Sequence, residues 1–338
     1  MSNQTASNVT YAAVYAATGE PSEVLAWQEM PLRAPGPGEV LVALECAAVH
    51  PSDFGMISGT YGKKRELPAV AGREGVGRVE AVGAGVTTLA VGDRVRIPEP
   101  EGTWRERGVF AASACLKMPL DLTPEAAAQC LVNPPTAIRV LNDFVALKPG
   151  DVVVQNAGNS AVGRTAAFYG RQLGVKVVSL VRNADKLRDD LVAGGAALVL
   201  EDNDDAPKAI AAFKGDSKVR LALNSVGGAS VMRLIKACDV NAVVVTFGGM
   251  VGDLVRFPTR ELIFNNITLK GYWMDKWGRE ASPETLAAHF EAVYKVFRDG
   301  LPLPTDRIVP VSEVVSAVAR SRESGRSGKV LLRGPAWK

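Results

Sequence analysis

Histidine and cysteine are scarce in this chain. Its 338 residues include two histidines, His50 and His289, and four scattered cysteines, Cys46, Cys115, Cys130 and Cys238. No two cysteines form a C-x-x-C pair, so neither a zinc site nor a disulfide framework is legible from spacing. The expected metal is none. Charge imbalance is also lacking. Lys plus Arg is 39 and Asp plus Glu is 36, a net +3, too small a surplus for a nucleic-acid or membrane-surface binder. No apolar run reaches the roughly 18 residues that a spanning helix needs. The stretch Met1 to Thr10 has neither the apolar core nor the Arg-rich face of a targeting peptide. The expectation is a cytoplasmic protein without membrane or nucleic-acid partners.

What remains is ordinary globular composition, 47% hydrophobic and 22% charged. At about 150 residues per domain, the length suggests two domains. The first third reads as short strands punctuated by Gly and Pro. Val9 to Ala16 is one strand, and the turn Pro35-Gly36-Pro37-Gly38 leads into another at Glu39 to Glu45. Val76 to Val82 and Asp93 to Ile97 continue a pattern that predicts a small barrel or sandwich. The rhythm changes near Thr123-Pro124-Glu125, where an N-cap, a proline and an acid open a helix. From Asp151 to Lys270 apolar runs alternate with helical stretches. They are Val152–Val154, Val175–Val181, Ala197–Leu200, Leu221–Leu223 and Ala242–Phe247. Strands so uniformly apolar predict a parallel sheet covered on both faces. A helix over Glu284–Asp299 and a strand over Lys329–Leu332 then lead back towards the first domain.

Between the strand Val152–Asn156 and a helix predicted from Arg164 lies Ala157-Gly158-Asn159-Ser160-Ala161-Val162-Gly163. Strand, glycine loop and helix N-terminus together suit a pyrophosphate, with Gly163 allowing close helix–strand packing. The motif is degenerate, because Ser160 replaces its central glycine, and a purely structural turn remains the alternative. The second strand ends at Arg182, 19 positions after Gly163, where NAD-preferring sites carry an acid. A guanidinium suits a 2′-phosphate, so the expected coenzyme is NADPH. A solvated loop arginine is the plainer alternative.

A longer set of segments carries a family resemblance. In the first half these are Gly59-Thr60-Tyr61-Gly62, Glu66-Leu67-Pro68-Ala69-Val70, Glu74-Gly75-Val76-Gly77, Gly102-Thr103-Trp104 and Asn133-Pro134-Pro135-Thr136-Ala137. In the second half they are Gln155-Asn156-Ala157, Asn159-Ser160, Leu221-Ala222-Leu223-Asn224, Gly248-Gly249-Met250 and Leu269-Lys270-Gly271-Tyr272-Trp273. From about Tyr11 to Leu332 the chain resembles the medium-chain dehydrogenase/reductase superfamily. Within it the match is to the zinc-free 2-enoyl thioester reductase branch, typified by mitochondrial trans-2-enoyl-CoA reductases. The chain departs from that branch in reading His50-Pro51-Ser52-Asp53-Phe54-Gly55 for Asn-Pro-Ser-Asp-x-Asn, and Gly72-Arg73-Glu74-Gly75 for Gly-Asn-Glu-Gly. His50 and Arg73 also stand where zinc-dependent relatives carry a Cys and a His, and a guanidinium cannot ligate Zn²⁺.

The resemblance implies an α/β fold, a Rossmann-type doubly wound parallel sheet plus a GroES-like β-barrel catalytic domain. It assigns 1–125 to the catalytic domain, 126–272 to the NADPH-binding domain and 273–338 to the return. It implies NADPH-dependent reduction of a 2-enoyl thioester C=C bond, with Tyr61 as proton donor. Without the resemblance, Tyr61 reads as an exposed loop aromatic. The implied coenzyme contacts are Asn133, Gly158, Asn159, Ser160, Ala161, Val162, Gly163, Arg182, Phe247, Gly248, Gly249, Met250, Tyr272, Trp273 and Lys329. His50, Arg73 and Trp104 are implied at the substrate cleft, with a core role for Trp104 as the alternative. Lys63, Lys64, Arg65, Lys276 and Arg279 are cations available for an adenosine-phosphate handle, or a solvated charged face. A homodimer through the strand near Ile267–Gly271 is expected. Two other readings stand beside this one: an NADPH:quinone or 2-alkenal/enone reductase on the same fold, and an NADPH-binding regulatory protein with little turnover.

Overall fold

The computed structural model describes residues 8–251, 255 and 257–338. The chain forms two compact units, one running to Leu131 and resuming at Pro304, the other Val132–Leu303.

The first unit is built around the strand Glu39–Ala48, buried almost throughout from Val40 onward. One of its edges pairs antiparallel with Glu74–Val82. The other is shared, since Glu39–Ala43 pair with Arg107–Ala111 while Cys46–Ala48 pair with Arg333–Leu331 of the returning strand Lys329–Arg333. The register against Glu74–Val82 shifts between Leu41 and Val42 and again between Leu44 and Cys46. Such bulges bend a strand and increase its twist, and here the bent strand carries two partners on one edge. A buried ion pair fastens the sheet. Arg94 donates to both carboxylate oxygens of Glu45 at 2.6 and 3.0 Å and to the Leu122 and Pro119 carbonyls at 2.6 and 2.9 Å. With so many of its donors paired, this buried charge can be tolerated. Gly72 lies at φ +91°, and a Cβ there would stand 2.4 Å from the Trp104 ring, so only glycine allows the indole to close on this turn.

The second unit is a parallel sheet in the order Leu198–Glu201, Lys176–Val181, Val152–Gln155, Val219–Asn224, Val243–Thr246, Thr268–Gly271. Apolar clusters cover both faces, one around Val153, Val177 and Leu221, the other around Val152, Val178 and Ala222. The chain runs outward from Val152–Gln155 in one direction and then in the other. The crevice beyond the C-terminal ends of Val152–Gln155 and Val219–Asn224 is therefore the switch point where doubly wound sheets take ligands.

Several expected boundaries move. The helix after the glycine loop starts at Ala161, not Arg164, because Ser160 caps it by accepting the Gly163 amide. The helix opened by Thr123 is only Pro124–Ala127. The return to the first unit comes at Pro304, not 273, and the crossing into the second comes at Val132, not 126. The helix Pro283–Arg298 buries His289, Phe290, Val293 and Tyr294 within the second unit. There Trp277 meets His289 edge-on at 4.8 Å, Arg139 lies 4.4 Å over Trp277, and Gln172 donates to Asp299 at 2.9 Å. Periodicity identifies such a helix but not the body it packs against.

Candidate active site

In the first unit four sequence-singled residues meet. The helix Pro51–Ser58 follows His50, whose backbone N–H donates to Asp53 Oδ2 at 2.7 Å. His50 is 2% exposed. Its Nε2 meets Glu74 Oε2 on the strand Glu74–Val82, and its Nδ1 lies 2.8 Å from Lys329 Nζ at the start of the returning strand. Glu74 Oε1 accepts the Leu131 amide at 2.6 Å. Beside Glu74, the buried Arg73 donates from Nη1 to Tyr61 Oη at 3.0 Å, with its guanidinium 4.7 Å over the phenol ring. The Tyr61 amide bonds to Gly55 O at 2.9 Å, tying this loop to the helix that follows His50.

Glu99 gathers the neighbouring cations. Lys63 and Arg65 contact its carboxylate, Arg73 Nε stands 3.7 Å away, and Arg65 also donates to the carbonyls of Val70, Gly72 and Glu99. Burial pushes the Glu99 carboxyl up, but Lys63 and Arg65 outweigh it and hold the group below the usual range. Lys63 and Arg65 are thus partners of Glu99. Trp104 is 0% exposed in the apolar core of this unit, and its Nε1–H donates to Ala48 O at 3.3 Å, the packing expected of its alternative, core role.

In the second unit the glycine loop is pressed against its neighbours. A Cβ at Gly158 would stand 2.4 Å from Ser179 Cβ, and one at Gly163 would stand 2.7 Å from Ala157 O. The first i→i−4 bond of the helix runs from Arg164 N to Ser160 O, which leaves the amides of Ala161 and Val162 ahead of it at the positive end of the dipole. Asn159 and Arg182 are exposed, Arg182 just beyond the strand Lys176–Val181. This cradle and cation fit a 2′-phosphorylated dinucleotide. Phe247 and Tyr272 pack against the core cluster of this unit, with the Tyr272 ring edge-on to Phe144 at 6.0 Å. A Cβ at Gly248 would stand 3.1 Å from Ser225 O, and Met250, 60% exposed, donates its amide to the same carbonyl at 3.2 Å. Asn133 begins the helix Asn133–Asn142, and Arg279 lies 5.0 Å over the Trp273 ring.

Sequence reasoning missed the polar web beneath these loops. Gln155 donates to Gly163 O and Ser179 Oγ at 2.8 and 2.9 Å. Asn156 donates to Asn224 Oδ1 and Ser230 Oγ and accepts the Ser225 amide at 2.8 Å. Asn224 also accepts the Gly227 amide and donates to Thr246. Glu201 accepts the amides of Asn183 and Ala184, at 3.1 and 2.8 Å, and fixes the turn that carries Arg182. The signal was present, since polar residues end otherwise apolar strands, but their partners lie up to 74 positions away.

Comparison with known proteins matches residues 36–119 to the family described as alcohol dehydrogenase GroES-like domain and 161–291 to that described as zinc-binding dehydrogenase. The human mitochondrial enoyl-[acyl-carrier-protein] reductase is 38% identical over 328 residues, which is 95% of this chain and 88% of the relative. The chain belongs to the enoyl-[acyl-carrier-protein] reductase family. Within this medium-chain dehydrogenase/reductase fold, the solved complex of Etr1p with NADP and crotonyl-CoA is similar at a TM-score of 0.88 and 28% identity, with 96% of this chain and 99% of that chain covered. The Etr1p/Etr2p heterodimer of the mitochondrial 2-enoyl thioester reductase of Candida tropicalis reaches 0.87 at the same identity and coverage. A Bacillus thuringiensis structure described as a putative NADPH:quinone reductase reaches 0.85 at 26% identity, again over 96% and 99% of the two chains.

The zinc in one family description does not fit this reductase's donor set. Among the described residues no three His, Cys, Asp or Glu side chains gather as a ligand group. Both ring nitrogens of His50 are engaged by Glu74 and Lys329, and Arg73 is a cation. No helix among the described residues is long and apolar enough to cross a membrane.

Proposed function

We propose that this chain uses NADPH to reduce the C=C bond of a trans-2-enoyl thioester carried on CoA or an acyl carrier protein. The observation that carries this reading is the Tyr61–Arg73 pair within a chain of this family. Conjugate reduction needs a hydride at the β-carbon, relief of the charge that develops on the thioester oxygen, and a proton for the α-carbon. NADPH, when bound, supplies the hydride. Arg73 can only donate hydrogen bonds, so the Tyr61 oxygen accepts from it and the phenol proton points away from the guanidinium. A phenol held in this way is a competent acid towards an enolate. The Ala161 and Val162 amides receive the pyrophosphate and Arg182 the 2′-phosphate. In this reading the first unit carries the acid and the second holds the coenzyme.

Family likeness and an open sheet edge support a dimer. The edge strand Thr268–Gly271 is exposed along its length, next to the exposed Ile263 and Phe264. The four free, buried cysteines suit a reducing compartment such as the cytoplasm.

The likeness to a quinone reductase structure favours one second reading, reduction of a quinone. NADPH-oxidation assays with 2-enoyl-CoAs of several chain lengths, 2-alkenals and small quinones separate the two. Turnover of crotonyl-CoA with little quinone turnover is expected. Quinone turnover without enoyl-CoA turnover would reverse the assignment, and NADPH binding without turnover of any substrate would make the chain a binding protein.

A further inference from the structure

Lys329, His50 and Glu74 form a directed chain inside the first unit. An ammonium has no acceptor, so at 2.8 Å Lys329 Nζ donates to His50 Nδ1, and it also lies 3.4 Å from Val49 O. The Nδ1 lone pair is thereby used, so the ring proton sits on Nε2, where it meets the Glu74 carboxylate. Glu74 is in turn held by the Leu131 amide at 2.6 Å, and His50 by its own backbone bond to Asp53. His50 and Glu74 are 2% and 0% exposed, so neither shares these bonds with bulk water. A cation and an anion thus terminate a neutral imidazole whose tautomer both of them dictate.

We propose that His50 and Glu74 are positioning residues for Lys329: together they hold its ammonium charged and aimed, so that it can meet an anionic group of NADPH. This rests on the proposed NADPH-dependent function and on the coenzyme contact that the family resemblance implies for Lys329. The charged and titratable groups facing Lys329 are His50 and Asp53 at the start of the helix Pro51–Ser58, Glu74 on its strand, and Arg326 in the segment ahead of the returning strand. Burial pushes the Lys329 amine down to about 8, Arg326 pushes the same way, and Glu74 and Asp53 oppose them. The cationic fraction of Lys329 therefore falls as pH rises through about 8, and coenzyme affinity falls with it. Removing the Glu74 charge lowers that midpoint, and removing the His50 acceptor leaves the buried ammonium short of a partner.

The test is NADPH binding to the full chain, followed by coenzyme fluorescence from pH 6.5 to 9.5. Wild-type Kd is expected to rise above pH 8. His50→Leu is expected to raise Kd about tenfold at pH 7.5, the equivalent of roughly one pKa unit. Glu74→Gln is expected to start the rise at lower pH. His50→Asn, which offers an acceptor and a donor, retains most of the affinity, a rescue that a merely space-filling role for His50 would not produce. Far-UV circular dichroism confirms folding. Folded His50→Leu and Glu74→Gln chains with wild-type Kd and pH course, alongside a Lys329→Met chain that has lost affinity, overturn the proposal. If Lys329→Met also binds NADPH as wild type does, Lys329 does not contact the coenzyme, and the proposal falls with that contact.

Discussion

Two departures from the family residues, Arg73 and His50, account for much of the local chemistry in the first unit. Arg73 is held between Glu99 and the Tyr61 ring, so the phenol and its guanidinium partner form one unit rather than two independent side chains. Tyr61→Phe keeps the ring under the guanidinium and deletes only the hydroxyl. It should lower kcat by at least about tenfold, the lower range for a positioned general acid, with NADPH affinity unchanged. Arg73→Met should also lower kcat, and the double variant should be no slower than Tyr61→Phe alone, because residues acting as a unit are not additive. Steady-state kinetics with crotonyl-CoA checks both, and a fully active Tyr61→Phe chain removes the phenol from the reaction. Trp104 shows the limit of reading single residues. Its segment matched the family, yet the indole belongs to the core and its one donor is spent on Ala48 O.

At the scale of elements, the helix Pro283–Arg298 sets a pH dependence of stability. His289 is buried on it against Trp277 and Phe290, and its Nε2 has no hydrogen-bond partner. Burial, reinforced by the Arg139 charge, pushes this imidazole down to about 4 against an ordinary 6.5. The unfolded chain therefore binds a proton at about 6.5 that the folded chain refuses until about 4. Stability from this group is complete above pH 6.5 and is lost as pH falls through that window. Thermal unfolding of wild type and His289→Phe between pH 7 and 4 should show a shallower acid decline of Tm in the variant. Parallel curves would show that protonation of His289 is not what weakens the fold. The loops of the second unit follow a related logic. Gln155, Asn156 and Asn224 end apolar strands, and their amides hold the loops beyond those strands through bonds buried from solvent.

At the scale of the molecule, the open edge at Thr268–Gly271 is the feature that most invites association. The Thr268 amide bonds inward to Ala242 O, so the Leu269 amide faces outward along an edge where Leu269 is 38%, Ile263 65% and Phe264 70% exposed. If two copies pair through this strand, Leu269→Pro deletes an outward donor and should convert a dimer into a monomer by light scattering, with the fold retained. Monomeric wild-type protein would refute that arrangement. Much of the chain was legible without coordinates. Short strands punctuated by Gly and Pro, and then longer apolar runs alternating with helices, separated the barrel-like region from the parallel sheet, because both patterns are local. The glycine loop, Ser160 and Arg182 could be placed for the same reason, each sitting at a fixed offset from a strand end. The helix Pro283–Arg298 was legible as a helix but not as part of the second unit, and Lys63 and Arg65 were legible as cations but not as partners of Glu99. The sequence by itself determined the family, through segments that resemble its members, and the two-part architecture and the nucleotide loop, which follow from short-range pattern. Only the tertiary structure decided that His50, Glu74 and Lys329 form one chain and that Trp104 is core, because those contacts join residues as many as 279 positions apart and depend on which strands pair.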